Sequence, residues 1–187
     1  MKVIKVVLYV IASLVIISTM MYANYNGFSK VSFQIKKEGG EKLLYREVSG
    51  PYSQTGVELN KIKFDLNKEF KIETVRDFGM YLDDPRKVDK DKLRSEVGCI
   101  LENADTAQIF WLKSKFKIRV CPVTDYITTE FPYKGKISVM IGLMKVYPAL
   151  MNYVKANGYA ETGPIMEVYD KTNNIIIYRK EAVKAAL

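Results

Sequence analysis

The chain has 187 residues, 29 of them Lys or Arg and 21 Asp or Glu, for a formal charge of +8, and it contains no histidine. Without histidine, Ser-His-Asp and Cys-His catalysis and most zinc sites are excluded. The lysines are scattered rather than gathered on one helix, so the surplus reads as a solvated surface, with no nucleic-acid partner expected.

The first feature in chain order is an uncharged run over 6–23, in which only Ser13, Ser18 and Thr19 are clearly polar. At 1.5 Å per residue a helix there spans roughly 27 Å, close to the hydrocarbon thickness of a bilayer. Lys2 and Lys5 ahead of it also suit a secretory signal peptide. The run exceeds a usual signal core, and Met21 stands where a cleavage site wants a small residue. The expectation is therefore an uncleaved single-pass transmembrane helix meeting the lipid bilayer through residues 6–23. Lys2 and Lys5 favour an extracytoplasmic domain, which is the expectation, although Lys30, Lys36, Lys37 and Lys42 pull the other way. Asn24, Asn26 and Gly27 mark a linker, dividing the chain into an anchor and linker, 1–30, and one folded domain, 31–187.

Alternation predicts a first strand or a lead-in over 31–35, followed by a charged, glycine-containing turn over 36–42 and a strand over 43–48. Ser49-Gly50-Pro51 stops that strand. Pro51 suits a helix start, and Leu59, Ile62, Leu66 and Phe70 recur at helical spacing, which predicts a helix over 52–67. Strands over 74–82 and 92–101 flank Asp83-Asp84-Pro85, read as turn formers rather than as a metal or acid–base pair. In the first of these, Phe78, Met80 and Leu82 face a core while Gly79 and Tyr81 face the other way.

The second half opens with a short helix or irregular connection over 107–113 carrying the only tryptophan, Trp111, then strands over 116–121 and 126–133. Ile137, Met140, Ile141, Met144, Tyr147, Met151 and Val154 follow a helical period closed by Asn157-Gly158, with a kink or break expected at Pro148. Strands over 165–169 and 175–178 complete the chain. Cys99 and Cys121 lack metal-type spacing and are either one disulfide or two buried thiols.

Element order thus repeats after about 85 residues, with Met80-Tyr81-Leu82-Asp83 answering Glu167-Val168-Tyr169-Asp170. The fold class is α+β: duplicated strand-helix-strand-strand modules about a pseudo-twofold axis. Each module is a small sheet covered by one helix, and a central groove is expected opposite the helices. Strand-Gly-Pro-Tyr-helix over 46–52, Phe78-Gly79-Met80-Tyr81-Leu82-Asp83-Asp84-Pro85, Arg86-Lys87-Val88 and Arg94-Ser95-Glu96-Val97-Gly98 carry a resemblance to the GyrI-like domain, over about residues 40–180. That family's small-molecule-binding module also serves as the effector domain of multidrug-responsive regulators. The resemblance implies two such modules enclosing a pocket. No helix-turn-helix fits ahead of residue 40, so control of transcription by this chain is not expected. The family also includes an anchored reticulophagy receptor with a long disordered tail, which is not expected here because the chain ends at Leu187.

By motif position, the resemblance assigns Glu167 the role of the pocket glutamate that attracts cationic drugs. The residues support this independently: a carboxylate in an apolar cleft needs a partner, and a lipophilic cation supplies charge and area together. Tyr169, two residues on and on the same face, Tyr81 and Trp111 are the nominees for the aromatic wall. The structural alternative, weighed equally, is an ion pair from Glu167 to a neighbouring strand, for example to Arg94. The expected function is non-catalytic binding of a small apolar or cationic molecule, with no cofactor, no metal and no protein partner assigned. A protein-interaction module, or a hydrolase using Glu167 with a tyrosine as some relatives do, are the alternatives.

Overall fold

The computed structural model describes residues 2–102 and 104–185; residues 1, 186 and 187 of the expected 1–30 and 31–187 division, and residue 103, lie outside the described residues. An apolar helix, α1 (Lys2–Asn24), leads into β1 (Gln34–Glu38) and β2 (Lys42–Ser49). A short 3-10 turn then opens α2 (Thr55–Asp65), which ends in a π-helical turn, Leu66–Phe70, closed by Lys71 in the left-handed region at φ 54°. The remaining elements are β3 (Arg76–Tyr81), β4 (Arg94–Leu101), α3 (Thr106–Leu112), β5 (Lys117–Val120), β6 (Thr124–Pro132), α4 (Lys136–Ala156), β7 (Ile165–Asp170) and β8 (Ile175–Glu181).

All eight strands form one antiparallel sheet in the order β1-β6-β8-β7-β3-β4-β2-β5. Read outward from its middle, β3-β4-β2 mirrors β7-β8-β6, which is the pseudo-twofold predicted from the repeat. The axis falls between β3 and β7, where Gly79 pairs with Glu167. Alternation along these strands puts Gly79 and Glu167 on one face with Tyr81 and Tyr169, and Met80 on the other. The sequence match of Met80 with Glu167 is therefore one residue out of step, and such a slip exchanges the two faces of a strand.

Because β1 continues into β2 and β5 into β6, the same two segments pair at both ends of the sheet, which curls into a half-barrel. The corner between β1 and β2 requires glycine. Gly39 has φ 113°, and a Cβ there would lie 2.0 Å from the Pro122 carbonyl oxygen.

Both main helices pack on one face. Ile62 and Leu66, from α2 and the turn that follows it, join Leu44, Val97, Cys99 and Leu101. From α4, Ile141 and Val146 join Phe131, Ile176 and Tyr178, and Leu150 and Val154 join Ile127. The opposite face is filled by the sheet's own residues, Leu43, Tyr45, Phe78, Met80, Tyr126, Met166 and Val168 among them. The face opposite the helices, where the groove was expected, is therefore a packed core.

Three further expectations are decided in detail. The first strand starts at Gln34 rather than at residue 31, because Val31 and Phe33 pack beside α4 instead of pairing. The helix α4 runs through Pro148 without a break, held on either side by Val146 and Leu150 in the core. Cys99 and Cys121 are free thiols in clusters on opposite faces of the sheet, so no disulfide can join them.

Candidate functional site

At the midline of the helix-bearing face, β7 offers Glu167, with 0% of its surface exposed. Its strand neighbours explain why there is room for an acid. Gly79 on β3 has no side chain, and Tyr81 lies across it, its hydroxyl 3.0 Å from where a Cβ would stand. On β8 the register partner is Tyr178, itself buried. From α4 above, the Tyr147 hydroxyl donates to Glu167 Oε1 at 2.7 Å, and the Tyr169 hydroxyl donates to Oε2. Tyr178 reaches its place because α4 carries Gly142 there; a Cβ at that position would lie 2.3 Å from the Tyr178 hydroxyl.

Further rings extend the wall. Tyr133 stacks edge-on to Tyr169 at 5.8 Å, Tyr147 to Tyr178 at 6.0 Å, and Tyr52, from the turn before α2, to Tyr81 at 4.8 Å. The Tyr178 hydroxyl has no hydrogen-bond partner among the described residues.

The electrostatics follow from burial. Burial pushes the Glu167 carboxyl up from its ordinary value, and the hydrogen bonds from Tyr169 and Tyr147 offset part of that rise. Burial, followed by the Glu167 charge, holds the phenols of Tyr81, Tyr147, Tyr169 and Tyr178 above their ordinary range, so all four remain protonated. Among the described residues Glu167 forms no ion pair. Arg94, the alternative partner considered from sequence, instead donates through Nε and its terminal nitrogen to Asp83 at 3.0 and 2.7 Å. What remains is an acid satisfied in hydrogen bonds but not in charge. Such a group attracts a cation, or a proton, strongly.

Glu167, Tyr169 and Tyr81 thus come together, whereas Trp111 does not join them. It is 65% exposed on α3, edge-on to Phe110, on a helix whose Leu112 packs into the α2 half of the core. Sequence reasoning missed Tyr147, Tyr178, Tyr52 and Tyr133. Tyr178 was detectable, since Ile176, Tyr178 and Lys180 alternate on one face of β8. Two surface cavities, of 460 Å³ along α2 at Arg46, Val57 and Phe64 and of 290 Å³ near Ile72, Val75 and Gln108, do not reach Glu167.

No family model matches the chain. It is 26% identical over 167 residues to the human protein "Testis-expressed protein 264", covering 84% of this chain and 51% of that one. The chain therefore spans about half the length of that relative. Among solved structures, the EcmrR C-terminal domain superposes with a TM-score of 0.58 at 14% identity, over 83% of this chain and 99% of that domain. SAV2435, solved bound to tetraphenylphosphonium, gives 0.52 at 13% identity, over 82% and 94%. These neighbours have the GyrI-like fold, and the present chain shares it.

Proposed function

We propose that the chain binds a small apolar cation at Glu167, between the tyrosine-bearing faces of α4 and β7, without turnover, and that α1 holds this domain at a membrane. The observation that carries the reading is the buried carboxylate: it accepts hydrogen bonds from two tyrosines and has no basic partner among the described residues. A delocalised cation brings the missing charge, covers itself with ring faces at about 0.5–2 kcal/mol each when desolvated, and costs little to dehydrate. The similarity of fold to a protein solved with tetraphenylphosphonium supports that ligand class. The anchor is supported by the length of α1, whose residues Val3–Asn24 are apolar enough to cross a bilayer.

Tyrosine rings surround Glu167, so a ligand enters by displacing Tyr147 or Tyr81 from over the acid. The test is thermal unfolding of the purified protein with tetraphenylphosphonium and with a neutral tetraphenyl analogue. Stabilisation by the cation alone is expected, and Glu167→Gln should remove it. Equal shifts in wild type and variant would reject the assignment.

A further inference from the structure

The helix α4 is apolar on two sides. Ser138, Gly142, Val146 and Leu150 face the core, and on the opposite side Ile137, Met140, Met144 and Pro148 recur at three- and four-residue spacing, all exposed. Met140 and Met144 are 62% and 74% exposed. A soluble domain ordinarily makes that outer stripe polar. This one lies beside the exit of α1. The Lys134 ammonium, just before α4, donates to the Asn24 carbonyl at 2.6 Å, and the Lys145 ammonium, in its third turn, donates to the Asn26 carbonyl at 2.9 Å. Tyr22 and Tyr25 pack against the core cluster that Ile141 and Val146 belong to. Phe28, in the connection, is exposed, as are Lys30, Lys134 and Lys136.

We infer that the outer stripe of α4, Ile137, Met140 and Met144 together with Phe28, is a second membrane contact, seated in the lipid interface beside α1. The occupant is a bilayer because Lys134 and Lys145 tie this helix to the end of one long enough to span a membrane. Its rim of lysines matches anionic headgroups, and flexible methionines suit a fluid surface. The helix that lays Tyr147 on Glu167 with one side then touches lipid with another, so a lipophilic cation dissolved in the leaflet meets the site without crossing bulk water. The inference rests on the anchored reading of α1.

The test uses the full chain reconstituted in phosphatidylcholine–phosphatidylglycerol vesicles, with and without bromine on the upper acyl carbons. Single tryptophans are placed by Met144→Trp or Leu14→Trp in a Trp111→Phe background, with native Trp111 as the solvent-facing control. Fluorescence of the Met144→Trp and Leu14→Trp variants should be roughly halved by brominated lipid, while native Trp111 responds only to aqueous acrylamide. Quenching at position 14 but not 144, with 144 open to acrylamide, overturns the inference and leaves the anchor standing. A position 144 shielded from both quenchers overturns it in favour of a protein or second copy covering the stripe. Absence of quenching at both positions overturns the anchor and the inference together.

Discussion

Two buried carboxylates lie on the same face of the sheet, and they are treated in opposite ways. Asp77, on β3, sits under two lysines: Lys63 reaches its Oδ2 at 3.3 Å and Lys171 reaches the same oxygen. It also accepts a weak contact from the Cys99 thiol, whose pKa burial pushes up to about 12. Glu167, one strand away on β7, meets only phenols. Both are contacted by a donor at each oxygen, but only Asp77 has its charge met. Burial alone therefore does not separate the two acids; the missing counter-charge does, and it leaves Glu167 to be neutralised by a cation or by a proton.

The widest break in the comparison is to remove the compensated acid. Asp77→Ala leaves two lysines facing each other across a cavity and should cost about 2 to 3 kcal/mol in denaturant unfolding. That is below the cost of a fully buried pair, since each lysine side chain is about a third exposed. Next comes the room made for the tyrosines. Gly142→Ala drives a methyl into the Tyr178 hydroxyl; the overpacking outweighs the gain in helix propensity and should lower stability by about 1 to 2 kcal/mol. It should also displace Tyr178 from beside Glu167, seen as a changed near-ultraviolet circular dichroism band.

The finest test is titration. The Glu167 carboxyl has a raised pKa in the folded state, so the native chain holds its proton more tightly than the unfolded chain does. Stability from that proton is complete below the ordinary value of 4.5 and is lost as pH rises through the raised value. Wild type should therefore weaken across that window by at most about 1.4 kcal/mol per pH unit, and Glu167→Gln should flatten this limb of the profile. A limb that persists unchanged in the variant would assign the lost proton to another group.

Much of this was legible before the coordinates. Alternation placed Gly79 and Tyr81 on one face of β3, and Glu167 with Tyr169 on one face of β7, and the structure keeps both pairings. What alternation could not give was which face the helices cover. Phe78 and Met80 were read as the core side, but Asp77 and Gly79 are buried too, because a curled sheet packs on itself on one face and under helices on the other. Tyr147 was hidden in the helical stripe of α4, where periodicity treats it as one more core residue; its role depends on the angle at which α4 crosses β7, a tertiary fact. Trp111 was nominated for its ring rather than its position. Leu112 docks α3 on the α2 side of the molecule, and the capping box of Asp105 and Gln108 closes its N-terminus.

Pro148 gives α4 one more property. It supplies no amide hydrogen to the Met144 carbonyl, so the helix lacks one rung immediately beside Tyr147. Leu150 and Val154 remain clamped in the core beyond that gap. Val146, Ile141 and Ser138 hold the N-terminal half just as firmly, so the least stiff point of this doubly docked helix adjoins the phenol that covers Glu167.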